Sequence, residues 1–193
     1  MTSPPGVFVH DKALLESDAV GAGTRVWAFA HVLPGAVIGR DCNICDGVFV
    51  EGGAVVGDRV TVKNNVLLWD AVTIEDDAFI GPNAVFTNDL LPRAAIKKPP
   101  EDFLPTRVRH GATIGANATI VCGVTIGTNA FVGAGSVVTR DVADHELVLG
   151  NPARAAGWIC ACGSRLPEDL VCSCGRRYRH DADGGLAANS TVH

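Results

Sequence analysis

The sequence predicts an all-β fold: a parallel β-helix of stacked triangular coils, with one external loop and a small Cys-rich C-terminal knuckle. Three observations carry this. An apolar residue recurs every six positions, and a small or β-branched residue recurs two positions before it. The third is composition: 47% of the 193 residues are hydrophobic, only 6% are aromatic, and there are 22 Gly and 1 Met. A core must then be built from Val, Ile, Leu and Ala, which favours strands.

The large position runs Phe8, Leu14, Val20, Val26, Val32, Ile38, Ile44, Val50, Val56, Val62, Leu68, Ile74, Ile80, Phe86. It resumes at Val108, Ile114, Ile120, Ile126, Val132 and Val138. The small position holds Ala30, Ala36, Cys42, Ala54, Ala78, Ala84, Ala112, Ala118, Ala130 and Ser136, among others. An α-helix, with a period of 3.6, cannot present this pattern. A short strand followed by a corner can, and three such units close a coil of about 18 residues that stacks on the next. Each buried aliphatic contributes about 1.5–3 kcal/mol. Gly follows the large residue at 21, 39, 57, 81, 115, 127 and 133, where a corner is expected to need unusual dihedrals.

Between Phe86 and Val108 the period breaks. Residues 87–107 hold four Pro and seven charged residues and read as a loop thrown out from one corner. A loop of this length in a compact repeat usually has a function or is disordered, and flanking polar residues favour function. Stacking by 18, and by 34 across the loop, puts Asp70, Asn88 and Cys122 on one vertical line, with Trp69 and Asp89 beside it. This polar group next to a loop is a site candidate; its alternative is that Asn88 only caps a turn. A second line, His31, Phe49, Leu67 and Val85, faces away from the coil axis and reads as a subunit interface.

Charge and composition exclude other classes. The net charge is −5 and no basic stripe appears, which argues against a nucleic-acid partner. No membrane span and no signal peptide are legible, so a cytoplasmic protein is expected. Seven Cys in a reducing compartment point to metal or core roles rather than disulfides. Cys160-Ala-Cys162-Gly163 and Cys172-Ser-Cys174-Gly175 read as two knuckles of a zinc-ribbon-like tail over 157–180, a closed four-thiolate site for structural Zn2+. Each pair has one intervening residue where two is usual; four free thiols are the alternative. Cys42 and Cys45 also have CxxC spacing, but Cys42 falls on the small inward position, so it reads as core. Residues 1–156 are expected to form the β-helix domain, and 181–193 are expected to be disordered.

The ladder resembles the left-handed β-helix acyltransferases. The segments Val26-Trp-Ala-Phe-Ala-His-Val32, Asn64-Asn65-Val, Leu68-Trp-Asp70, Phe79-Ile-Gly-Pro82, Phe86-Thr-Asn-Asp89 and Gly150-Asn-Pro-Ala-Arg154 are similar to those of N-acetyltransferases acting on nucleotide-linked 3-amino sugars. The resemblance implies a homotrimer with sites between neighbouring β-helices. It also implies acetyl-CoA as cosubstrate along the C-terminal coils and a dTDP- or UDP-linked 3-amino-deoxy sugar as acceptor. Asn88 matches the polar residue placed near the sugar amine, Asp70 is the second candidate catalytic residue, and Trp69, Asp89, Asn65 and His31 are candidate substrate contacts. Ala112, Ala130, Gly133, Gly135, Arg140 and Arg154 are candidate CoA contacts. A Gly-rich run admits a pantetheine arm close to the backbone, and Arg pairs with phosphate. Such enzymes are thought to use no dedicated base. The alternatives are an O-acetyltransferase of a sugar or small alcohol, which would need a His base, and a non-catalytic β-helical assembly subunit. A β-helical carbonic anhydrase needs three His, two of them five apart, a spacing absent here.

Overall fold

The computed structural model describes residues 4–189. Three parallel sheets form the faces of a triangular prism. Sheet I has nine strands, from Phe8–Val9 to Phe131–Val132 and then Glu146–Leu149 and Arg154–Trp158. Sheet II has seven, from Leu14–Leu15 through Val85–Phe86 to Val137–Val138. Sheet III has five, from Val37–Ile38 through Val72–Ile74 and Thr106–Val108 to Thr125–Ile126. Register follows the expected spacing: Leu67 pairs with Val85, and Val85 with Thr119 across the loop. Inside, the period-six residues meet on the axis: Val26, Val32, Ile44, Val62, Ile80, Ile114 and Ile126 are fully buried.

The first coil differs from the simple reading. Phe8 and Leu14 are half exposed, while Val9 and Leu15 pair with Val26 and Val32. The corner between Leu15 and Val20 is one residue short, which shifts everything before it by one. Buried Ser17 closes that corner: its hydroxyl donates to the Ala36 carbonyl at 2.6 Å and accepts the Ala19 N–H at 3.1 Å.

Corner glycines also differ from expectation. The residues with left-handed φ lie two places later: Asp41, Arg59, Asn83, Asn117, Asn129 and Gly135. Gly39, Gly81 and Gly115 are needed instead for close stacking. A Cβ at Gly39 would lie 2.5 Å from the Gly57 carbonyl carbon, and one at Gly115 would lie 2.5 Å from the Ala134 nitrogen. A side chain there would push the coils apart.

The external loop ends earlier than 107. Thr106–Val108 is a strand, and Thr106 is buried in the small inward position. At the C-terminal end, Arg154–Trp158 turns back antiparallel to Glu146–Leu149 and closes sheet I. Residues 186–188, within the span expected to be disordered, form a strand against Tyr178–His180. Leu186 is buried and its N–H donates to the Asp144 carbonyl at 3.1 Å, so one apolar anchor orders a polar segment. Residues 190–193 lie outside the described residues.

Candidate functional site

Three corner lines run along the prism, and the candidate residues divide among them. The corner between sheets II and III carries Trp69, Asp70, Asn88, Asp89, Cys122 and Arg140. This follows from the register, because each lies one or more residues beyond a strand of sheet II. The loop leaves this corner, as the spacing requires. Trp69 is half-buried against the core and its indole N–H donates to the Phe86 carbonyl at 2.7 Å. Thr87 accepts the Cys122 N–H on its hydroxyl at 2.9 Å. Asn88, between the anchored Thr87 and Asp89, is half-buried. Asp70 is exposed; its carboxylate accepts the Gly53 N–H at 2.6 Å, and its own N–H donates to Glu51 at 2.8 Å. That ties it to the preceding coil.

Asp89 departs from its expected role. Its carboxylate accepts the Lys98 ammonium and the Leu91 N–H at 2.9 Å. The Lys98 partner, then the Leu91 amide, hold its carboxyl below the ordinary carboxylate range. A carboxylate bound this way braces the loop. Arg140 spans the same corner line and donates to the nearly buried Glu146 at 3.3 Å.

Other candidates lie elsewhere. His31 faces outward on sheet II, pairs with the Glu16 carboxylate at 2.8 Å and stacks edge-on with Phe49 at 5.7 Å between ring centres. Phe49 in turn lies 5.9 Å from Trp69, so an aromatic line leads along sheet II towards the loop corner. Asn65, Gly133 and Gly135 belong to the corner between sheets I and II. Asn65 has a left-handed φ and donates to Asn83 at 3.1 Å. Gly135 opens to solvent, with no heavy atom within 4 Å of where a Cβ would stand. At Gly133 a Cβ would meet Leu149. Arg154 is near this corner, because the preceding Ala153 N–H bonds the Val137 carbonyl.

Ala112 and Ala130 are corrected: both are buried on the axis at the third corner, so their methyl groups cannot meet a cosubstrate. The small inward position looks like a ligand-approach residue in sequence, but its size is set by the narrow prism apex. His110 lies at that third corner, 3.6 Å from Asp77, and takes no part in the Asn88 group. A cavity of about 370 Å³ lined by Val55, Gly57, Thr73, Glu75, Asp76 and His110 is on sheet III, away from Asn88. Glu16 and Lys98 escaped the sequence reading. Each acts through a contact that neither the period nor a motif encodes.

The tail brings Cys160, Cys162, Cys172 and Cys174 together, with their four Sγ atoms within 4.8 Å of one another. Two knuckles repeat at a step of twelve: Cys160 N–H to Ser164 carbonyl at 2.9 Å, and Cys172 N–H to Arg176 carbonyl at 2.8 Å. Gly163 and Gly175 follow with φ of 87° and 90°, a conformation Gly adopts readily, and each donates its N–H back to the carbonyl of the first Cys of its pair, at 2.8 and 2.9 Å. The exposed Cys162 thiol is pulled down to about 6 by hydrogen bonds from Ser164. Cys42, by contrast, is buried, and burial raises its thiol.

Residues 19–52 and 105–140 match the bacterial transferase hexapeptide model of six repeats. Over 180 residues the chain is 52% identical to a dTDP-3-amino-3,6-dideoxy-alpha-D-galactopyranose 3-N-acetyltransferase of Aneurinibacillus thermoaerophilus, covering 92% of each protein. It is 34% identical to the bifunctional protein GlmU of Nitratidesulfovibrio vulgaris over 73% of this chain, but spans only 32% of GlmU. Among solved structures, a hexapeptide-repeat acetyltransferase of Vibrio cholerae in complex with acetyl coenzyme A is 29% identical, with a TM-score of 0.56 over 64% of this chain and 70% of that one. A maltose O-acetyltransferase of Clostridium difficile shares the fold at a TM-score of 0.55 and 24% identity, over 64% of this chain and 69% of that one. The chain is therefore an acyltransferase and belongs to the hexapeptide-repeat, left-handed β-helix family of nucleotide-linked 3-amino sugar N-acetyltransferases.

Proposed function

We propose that this protein transfers the acetyl group of acetyl-CoA to the 3-amino group of a dTDP-linked 3-amino-deoxy sugar. The observation that carries the reading is the 52% identity, over nearly the whole of both chains, with an enzyme named for that reaction. It also favours dTDP over UDP. Geometry supports it: Asn88 is half-buried beside an external loop, between two neighbours that are each anchored.

The amine, once neutral, is already a strong nucleophile, so the chain must chiefly orient it. Asn88 takes the orienting role through its carboxamide, and Asp70 attracts the sugar ammonium, which releases one proton to solvent before it attacks. Attack forms the N–C bond on the thioester carbonyl, and collapse breaks the C–S bond. The nitrogen proton passes to the departing CoA sulfur, so no side-chain base is required. Backbone N–H groups of the coils beyond the loop stabilise the oxyanion. Arg140 and Arg154 serve the CoA phosphates.

Asn88 and Arg140 lie on one edge of sheet II; Gly135, Asn65 and Arg154 lie on the other. In a homotrimer the two edges of neighbouring copies face each other, which supports a shared cleft over the exposed Leu67 and Val85 column. Among the described residues no helix is long and apolar enough to cross a membrane. Acetyl-CoA and nucleotide sugars as substrates support a cytoplasmic location.

The tail fits a structural Zn2+ held by Cys160, Cys162, Cys172 and Cys174. Sγ separations of 3.6 Å (Cys160–Cys174) and 3.5 Å (Cys162–Cys172) match the roughly 3.8 Å edge of a zinc–thiolate tetrahedron. They are far beyond the roughly 2.05 Å of a disulfide. Zn2+ here would lock the two knuckles together.

An acetyl-CoA assay against a panel of dTDP- and UDP-linked 3-amino sugars, with sugar alcohols alongside, tests the reading. The dTDP amines are expected to turn over fastest. Preference for an alcohol acceptor would overturn it. Asn88→Ala is expected to lower kcat/KM at least tenfold; a drop under about threefold, roughly 0.7 kcal/mol, removes Asn88 from the orienting role.

A further inference from the structure

We infer that Lys98 is a positioning residue for acetyl transfer: bound to Asp89, it fixes the backbone that presents the Asn88 side chain. The inference rests on the proposed role of Asn88 and concerns how that residue is held.

Asn88 stands at the point where the chain leaves the β-helix. On its N-terminal side the chain is still tied to the next coil. The Thr87 N–H donates to the Ile120 carbonyl at 3.1 Å, and the Thr87 hydroxyl accepts the Cys122 N–H. On its C-terminal side the strand pairing stops, because residues 89–105 contain no strand. There the tie is ionic. Lys98 reaches back nine positions to the Asp89 carboxylate and also donates to the Leu91 carbonyl at 3.2 Å. The same carboxylate accepts the Leu91 N–H, so one ammonium and one carboxylate close the base of the loop. Asp89 and Lys98 retain only 15% and 27% side-chain exposure. Among the described residues the Asn88 carboxamide takes no hydrogen-bond partner. A polar group left unpartnered while both flanking residues are locked is preorganised for something outside the chain.

The pair joins two positions of one external loop, so its loss should loosen that loop and leave the coils, and with them global stability, nearly unchanged. Its effect should appear in turnover, where a displacement of the orienting group of about 1 Å costs about a hundredfold. Methionine at 98 keeps the apolar stem and removes the charge.

The test is a double-mutant cycle on the full-length protein with acetyl-CoA and the preferred sugar of the panel. Lys98→Met is expected to lower kcat about tenfold, with the KM for acetyl-CoA and the Tm nearly unchanged. Lys98→Arg is expected to restore most of the activity. In the Asn88→Ala background, Lys98→Met should cost almost nothing further, because it acts through the group already removed. Hydrogen exchange over residues 87–91 should speed up in Lys98→Met. Wild-type turnover in Lys98→Met, or losses that multiply in the double variant, would overturn the inference while leaving the proposed reaction intact. A wild-type protein that acetylates no sugar of the panel would overturn both.

Discussion

The coils from Val26 to Val138 place a large apolar side chain, aliphatic everywhere but at Phe86, on the axis at every period-six position they occupy. The tail from Trp158 to His180 has a separate, much smaller core: Cys160, Leu166, Cys172 and Tyr178, closed by Leu186 from beyond it. The first region is ordered by repetition, each coil burying its neighbour. The second is too short to bury enough, which is the reason a metal held by its four Cys is proposed. The lesson is that a solenoid can carry an unrelated stabilising principle at its open end, provided the two are joined. Here the joint is His145. Its ring lies 4.8 Å from that of Tyr178, its carbonyl accepts the Ile159 N–H, and its Nδ1 lies 2.8 Å from the Ile159 carbonyl.

The largest expected effect separates the two regions outright. Structural zinc in isolated finger peptides binds with about 10–16 kcal/mol, and that energy is folding energy. The double variant Cys160→Ser, Cys172→Ser should lose its zinc and lose hydrogen-exchange protection across 157–180. Coils up to Val138 should keep theirs. A tail that stays protected without zinc would show that Leu166, Tyr178 and Leu186 suffice and would end the contrast.

The converse is a cavity in the coils. Ile80 is fully buried between Val62 and Ile114. Ile80→Ala should cost about 2–5 kcal/mol, read in denaturant unfolding of the coils, with zinc content unchanged. Loss of zinc in that variant would mean that the tail depends on coils many rungs away.

The joint itself should show an intermediate effect. His145 is buried with a φ of 63°, a conformation Asn tolerates. His145→Asn keeps the corner and deletes the ring, at about 1–3 kcal/mol for the lost packing and side-chain contact. Exchange should rise in the tail before it rises in the coils. Equal loosening of both would make His145 part of the coil core rather than a hinge between two principles.

What the sequence revealed follows the same division. The period of six and the 34-residue step across the loop are arithmetic, so the corner carrying Asp70, Asn88 and Cys122 was legible. The fault at Leu15–Val20 was not. Phe8 with Val9 and Leu14 with Leu15 offer apolar neighbours in either phase, and only pairing with Val26 and Val32 decides between them. Ala112 and Ala130 misled because a small residue serves a narrow apex as well as a ligand. The Cys-Gly knuckles were legible as chemistry, whereas Leu186 as an anchor was hidden in a polar, Gly-rich setting. Lys98 was illegible because a loop has no period to place its side chains.

The smallest expected effect probes the two faces of a single strand. Val55 and Val56 are consecutive in sheet III; Val55 is 41% exposed and Val56 is 1% exposed. Val→Thr changes one methyl to a hydroxyl with little change in shape. At Val56 the hydroxyl enters an aliphatic axis and should cost about 1–3 kcal/mol unless it finds a partner. Buried Thr24 has such a partner, donating to the Gly39 carbonyl at 2.8 Å. But Thr24 stands at the small corner position, whereas Val56 is at mid-face, where the backbone carbonyls are engaged along the sheet. At Val55 the same change meets water and should stay within about 0.5 kcal/mol. Equal costs at 55 and 56 would mean that the outward column is covered in solution by another copy of the chain. The inward–outward contrast would then hold for the single coil stack but not for the assembly.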